Sequence, residues 1–249
     1  MAEPVLRVQG LVKRFGGLTA TDDFALDVQP GELHALIGPN GAGKTTLIGQ
    51  LTGEIRPDAG RIVFLGEDII RLPVAARVKR GLARSFQIVQ LLDDDTALAN
   101  VALAVQARAG HSFRFWRSAA RDPALLAPAR ALLAQVGLER AQTRVADLSH
   151  GERKVLELAV ALAARPRLLL LDEPMAGLGA AESLRMTETL RALKGQFAIL
   201  LVEHDMDAVF ALADRITVLV YGRAIATGAA DAIRADPAVQ EAYLSEEAA

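Results

Sequence analysis

The chain has 249 residues, 51% of them hydrophobic, enough for one well-buried core with a side lobe. A net charge of −2 argues against a general nucleic-acid binder, and the absence of cysteine excludes disulfides and thiolate zinc or iron–sulfur sites. No window approaches eighteen uncharged apolar residues, and Met1-Ala2-Glu3-Pro4 lacks the basic-then-apolar form of a signal peptide, so a cytoplasmic chain that reaches a membrane only by docking is expected.

In chain order, strands are expected near Leu6–Phe15 and over residues 24–28, where Phe24, Leu26 and Val28 alternate with Ala25 and Asp27. Leu33–Ile37 reads as a short buried strand and Lys44–Thr52 as a helix. Between and into them runs Gly38-Pro39-Asn40-Gly41-Ala42-Gly43-Lys44-Thr45-Thr46, a match to G-x-x-x-x-G-K-[ST] in the strand–loop–helix frame that the pattern needs. Glycines there let backbone N–H groups turn inward around phosphates, and the helix N-terminus adds partial positive charge. Lys44 is placed to reach β- and γ-phosphates and Thr45 to put its hydroxyl on Mg²⁺, so a nucleoside triphosphate with Mg²⁺ is the expected ligand.

Asp58-Ala59-Gly60 reads as a turn into a strand at residues 61–64. From Ala97 to Ala164 the pattern is helical and alanine-rich, with breaks expected at Gly110, Pro123, Pro128 and Gly137. Within it the stretch 106–127 interleaves Arg108, Arg114, Arg117 and Arg121 with Phe113, Phe115 and Trp116. That composition suits either a solvated cationic face with tucked aromatics or contact with nucleic acid or anionic lipid headgroups. Leu148-Ser149-His150-Gly151-Glu152 carries a capping box, Ser149 to Glu152, ahead of an apolar helix over residues 155–164. The same N-terminus, with Ser149 and Gly151, can also grip a γ-phosphate.

After Pro166 the strands return at Leu168–Asp172 and residues 198–203 and 216–221, with helices Ala180–Leu193 and Met206–Leu212 between. Such alternation implies a parallel sheet covered on both faces. Four leucines ahead of Asp172-Glu173 read as a buried strand that delivers two carboxylates to its C-terminal end. Asp172 suits holding Mg²⁺, and Glu173 suits orienting or deprotonating an attacking water. His34 lies inside a strand and is expected to be packed or hydrogen-bonded, His111 to be solvated, and His150 to be able to approach a second nucleotide. His204 ends an apolar strand much as Glu173 follows another.

Together these motifs resemble the ABC (ATP-binding cassette) ATPases, whose signature is L-S-G-G-Q. The resemblance spans Leu6 to about Leu244. It implies a P-loop, RecA-like α/β core with an N-terminal antiparallel β subdomain and an inserted α-helical subdomain: one domain over 1–249, with 1–87 and 165–249 as the core and 88–164 as the helical part. Phe15 matches the aromatic that stacks on adenine. Gln87 matches the loop glutamine that joins the catalytic and metal sets and links the ATP site to a membrane partner. His204 matches the switch histidine near the γ-phosphate. Ser149, Gly151 and Glu152 match the segment that completes the ATP site of the opposite cassette.

Arg84-Ser85-Phe86-Gln87-Ile88-Val89-Gln90-Leu91, Glu173-Pro174-Met175-Ala176-Gly177-Leu178 and the tail Ala238-Val239-Gln240-Glu241-Ala242-Tyr243-Leu244 are similar to the Liv-type ATPase subunits. The residues between Val105 and Pro128 match the longer of that group's two paralogous subunits. The resemblance implies ATP hydrolysis that powers uptake of branched-chain or related hydrophobic amino acids. Its implied partners are integral-membrane permease subunits and a second cassette, same chain or paralogue. A periplasmic or extracellular solute-binding protein takes part indirectly, and nucleic acid takes none. The alternative is a soluble ABC-type switch not coupled to transport. Three positions depart from the pattern: His150 at the first signature glycine, Glu152 for glutamine with Arg153 expected to offset its charge, and Gly179 for the usual polar residue of the loop after Glu173.

Overall fold

A computed structural model describes residues 3–85, 91–109 and 122–247, with side chains to residue 242. In chain order its strands and helices are β1 (Leu6–Phe15), β2 (Leu18–Val28), β3 (Leu33–Ile37), α1 (Lys44–Thr52), β4 (Ala59–Phe64), β5 (Glu67–Asp68), α2 (Val74–Lys79) and β6 (Leu82–Arg84). Then come α3 (Ala97–Ala109), α4 (Pro123–Gln135), α5 (His150–Ala163), β7 (Leu168–Asp172), α6 (Ala180–Leu193), β8 (Ala198–Val202) and α7 (Met206–Leu212). The chain closes with β9 (Arg215–Val220), β10 (Arg223–Gly228), α8 (Ala230–Ala235) and α9 (Pro237–Glu247).

The fully buried strands β3, β7 and β8 lie inside a six-stranded sheet of order β10-β9-β3-β8-β7-β6. All neighbours from β9 to β6 pair in parallel, and β10 closes the edge antiparallel to β9. Strand side chains alternate between the faces. Leu33, Leu169, Leu171, Ile199 and Leu201 pack with α3, α4, α5 and α6. Leu36, Leu168, Leu170, Leu200 and Val202 pack instead with Leu47, Ile48 and Leu51 of α1 and with Leu6, Phe24, Ile62 and Phe64. Each such side chain contributes about 1.5–3 kcal/mol of burial, so both faces need cover, and helices and the second sheet supply it.

That second sheet, β2-β1-β4-β5, is antiparallel. Here β2 starts at Leu18, ahead of the expected residue 24, because the hairpin pairing of Phe15 with Leu18 carries the polar stretch Thr19–Asp22 into the ladder. The turn expected at 58–60 also gives way: β4 already begins at Ala59, and Asp58 accepts bonds from Lys13 Nζ at 2.9 Å and Arg14 N at 2.7 Å.

Pro123 stands at an element boundary as expected, whereas Pro128 does not break the helix that holds it. Pro123 opens α4 behind the Asp122 cap, where a missing N–H costs nothing, and Pro128 rides inside α4. Gly137 does follow the end of α4, and Gly110 lies outside the described residues. The capping box at Ser149 is formed in both directions and starts α5 at His150, ahead of the apolar residues that begin at 155.

Candidate nucleotide site

Register decides what stands at the C-terminal edge of the large sheet. Leu36 of β3 lies opposite Val202 of β8, and Val202 opposite Asp172 of β7. The loop after β3, the Glu203-His204 pair and the Asp172-Glu173 pair therefore leave one row of strand ends, each about 4.8 Å from the next.

The loop at 38–43 is clamped from two sides. A Cβ on Gly38 would lie 2.1 Å from the Leu219 carbonyl oxygen, and one on Gly43, at φ 107°, 2.1 Å from that of Ala20. Gly222 N donates to the Ala42 carbonyl, and Asp22 N to that of Gly222, both at 2.9 Å. Helix α1 has Gly43 as its N-cap, no side-chain cap and no acid in its first turn, whereas Asp122, Ser149 and Asp205 cap α4, α5 and α7. Its N-terminus thus carries no capping side chain and no carboxylate in its first turn that would compete with a phosphate. Lys44 Nζ donates to the Gly38 carbonyl and, at 2.9 Å, to that of Pro39, which stations the ammonium over the loop. Thr45 is exposed. Phe15 stands half-exposed at the β1–β2 hairpin, 5.3 Å from Lys13 Nζ, on the same hairpin whose Ala20 abuts Gly43.

Asp172 is buried, and its Oδ2 accepts from Arg84 Nη2 at 2.9 Å. Glu173 takes a left-handed backbone, φ 50°, held by Glu173 N donating to the Val202 carbonyl at 2.8 Å and Ala176 N to the Glu173 carbonyl at 3.1 Å. A strained non-glycine residue at a strand end is an arrangement that functional sites use to aim a side chain. Its Oε1 lies 3.9 Å from His204 Nδ1. Thr45 and Asp172 are hard oxygen donors of the kind that Mg²⁺ shares with phosphates and water, and among the described residues no three Asp, Glu or His converge as a self-contained metal cage.

Sequence reasoning missed Glu203. It is buried, and it accepts from Met175 N at 2.8 Å and His204 N at 3.0 Å, so it braces the turn after Glu173 against the strand end that carries His204. The only local signal was an acid directly after an apolar strand. His34 is buried between Glu32 at 3.0 Å and Thr217 at 2.8 Å, as a packed, hydrogen-bonded histidine.

Ser149, Gly151 and Glu152 sit elsewhere, around a cavity of about 590 Å³ lined by the segment 136–140 after α4, by α5 and by α6 and, among the described residues, by none of the loop at 38–46. Arg153 does not neutralise Glu152. It turns to Asp93 and the Val145 carbonyl, and Arg140 takes the role at 3.1 Å. Gly151 is covered by Glu182: a Cβ there would lie 2.4 Å from Glu182 Oε1. His150 is exposed and lies over Gly177. Gly179 serves as the N-cap of α6. Gln87, His111 and the aromatics of the 106–127 stretch lie outside the described residues.

The ABC transporter family model matches residues 21–176, and the model for the branched-chain amino acid ATP-binding cassette transporter matches residues 225–244. The chain is 38% identical to LivG, a high-affinity branched-chain amino acid transport ATP-binding protein of Escherichia coli K12, over 99% of this chain and 100% of that protein. It is 37% identical to BraF of Pseudomonas aeruginosa, again over 99% of this chain and 100% of the relative. Among solved structures, the ADP conformation of an ATP-binding cassette of an ABC transporter superposes with a TM-score of 0.87 at 29% identity, covering 98% of this chain and 100% of that one. With its loop, carboxylate pair and histidine on one sheet edge and this full-length similarity, the chain belongs to the ATP-binding proteins of the ABC transporter family, in the LivG and BraF branch.

Proposed function

We propose that this chain binds and hydrolyses ATP to power uptake of branched-chain or related hydrophobic amino acids through separate membrane permease subunits. The observation that carries the reading is the shared edge where the 38–46 loop, Asp172-Glu173 and His204 emerge in adjacent register, in a chain similar to LivG and BraF over nearly its whole length. Among the described residues no helix is long and apolar enough to cross a membrane, which fits a subunit held at the cytoplasmic face of the membrane by its permease.

In this account the α1 N-terminus and Lys44 hold the phosphates, Phe15 stacks on the base, and Thr45, Asp172 and Gln87 hold Mg²⁺. The cation would supply charge neutralisation at the phosphate oxygens. Glu173 orients the attacking water and takes up its proton, and His204, 3.9 Å away, lies close to the reacting phosphate. Ser149, Gly151 and Glu152 act on the nucleotide of a second cassette, a role supported by their separation from the chain's own loop. Closing and reopening that pair drives the permease between two access states, and a solute-binding protein delivers the amino acid on the far side.

Purification from native membranes and transport by the recovered complex test this reading. Permease subunits should co-purify, and reconstituted vesicles should take up labelled leucine with ATP but not when the chain carries Lys44→Ala. Recovery of the chain from the cytosolic fraction alone, with no permease cross-linked to it, would overturn the proposal in favour of a soluble ABC-type switch.

A further inference from the structure

The carboxylate assigned to Mg²⁺ already has a cation. Arg84 is the last residue of β6, opposite Leu170 of β7, and Ser85 N donates to the Leu170 carbonyl at 2.9 Å. Asp172 lies two residues beyond Leu170 and shares its face of the sheet, so the pairing brings guanidinium and carboxylate together across 88 residues of sequence. One arm, Nη2, donates to Asp172 Oδ2 at 2.9 Å, and the other, Nη1, to Glu54 Oε2 at 2.8 Å. The side chains of Arg84 and Asp172 are 11% and 3% exposed, while that of Glu54 is 40% exposed. Arg84 Nε is buried with no hydrogen-bond partner among the described residues. Arg84 and Glu54 also line a largely apolar cavity of about 330 Å³, walled by Val74, Val78, Leu82 and Val160.

We infer that Arg84 is a positioning residue for the metal step: it is the resting counterion of Asp172, and Asp172 exchanges it for the divalent cation when nucleotide is loaded. This rests on the reading of Asp172 as an Mg²⁺ residue. The physical reason is the cost of leaving a buried carboxylate unpaired. A metal-free cassette needs a cation on Asp172, and an arginine shared with a second carboxylate can be released without itself becoming an unpaired charge. Glu54 retains it, so the guanidinium keeps one carboxylate partner. Arg84 thereby sets how much Mg²⁺ the site demands, since Asp172 binds either partner but not both through the same oxygen.

Binding of a fluorescent ATP analogue to the full chain, titrated with Mg²⁺ and repeated in EDTA, tests the exchange without reading turnover. Arg84→Met should lower the Mg²⁺ midpoint about tenfold, the scale of one charged hydrogen bond removed from competition, with affinity in EDTA unchanged. Glu54→Gln, at an exposed position, should raise the midpoint about two- to threefold, because Arg84 then serves Asp172 alone. Arg84→Lys should keep most of the competition, since one ammonium can still meet Asp172. Asp172→Asn separates the two claims. If it leaves the Mg²⁺ midpoint unchanged, the Asp172 reading itself falls. If it shifts the midpoint and Arg84→Met does not, the counterion proposal is wrong, as it is if Arg84→Met weakens binding equally with and without Mg²⁺. Should Arg84→Met fail to fold, an unmoved midpoint in Glu54→Gln overturns the proposal and a raised one supports it.

Discussion

Glu157 offers the sharpest quantitative test of the packing. It lies in α5, 9% exposed, and burial pushes its carboxyl from the ordinary 4.5 to about 7, against the opposing pull of Lys154 one turn earlier. A carboxyl raised in the folded state contributes stability that is complete below the unfolded value and is lost as pH rises through the folded one. A rise of about 2.5 units at about 1.36 kcal/mol per unit sets the loss at about 3 kcal/mol once the pH is well above 7. Glu157→Gln never ionises, so it should be the more stable protein at pH 8 by up to that amount, and the gap should close towards pH 5. In a chain of this size that corresponds to a melting-point difference of up to about 6–12 °C at pH 8. Thermal melts of both proteins at pH 5, 6, 7 and 8 read the difference directly, and titrations common to both cancel. A gap that does not change with pH, or a wild type that is the more stable at pH 8, would refute the reasoning.

Two further substitutions probe the loop and the signature. Gly43→Ala places a Cβ 2.1 Å from the Ala20 carbonyl oxygen, so the loop must move. ATP affinity should fall on the order of a hundredfold, from roughly 3 kcal/mol of overpacking, and unchanged affinity in an equilibrium titration would contradict the clamp. Glu152→Gln keeps a residue able to reach the Ser149 N–H and loses only the exposed pair with Arg140, worth less than about 1 kcal/mol. Its melting point should barely move, and if Glu152 faces a partner's nucleotide, ATP-driven association should tighten; equal association would confine Glu152 to capping.

What could be read from sequence was whatever local signals encode. Helices α1, α6 and α7 fall on the expected bounds because glycine or acidic caps and apolar spacing sit within a single turn of each end. Likewise β3 and β7 are short, mostly apolar runs, broken only by His34 and ended by Asp172. Illegible parts depend on distant partners. Strand β6 has three residues and exists through its pairing with β7. Arg77, nearly fully buried, donates to the Gln50 carbonyl at 2.8 Å and the Leu51 carbonyl at 2.7 Å and so satisfies the end of α1, a role no local pattern announces. At the candidate site the same division holds: the loop, Asp172, Glu173 and His204 are local motifs, whereas the Arg84–Asp172 pair and the Glu203 brace are made across the sheet. The replacement of Arg153 by Arg140 beside Glu152 likewise follows from how the chain before α5 folds back.

The central claim is that ATP is held between two cassettes, by the loop of one and the Ser149 segment of the other, until Glu173 acts. Light scattering on Glu173→Gln with and without ATP measures it most directly. A chain of 26.5 kDa should double its mass only with ATP, and adding Ser149→Arg should return it to monomer while each chain still binds nucleotide. A mass that ATP leaves unchanged, or a dimer that survives Ser149→Arg, would contradict the account.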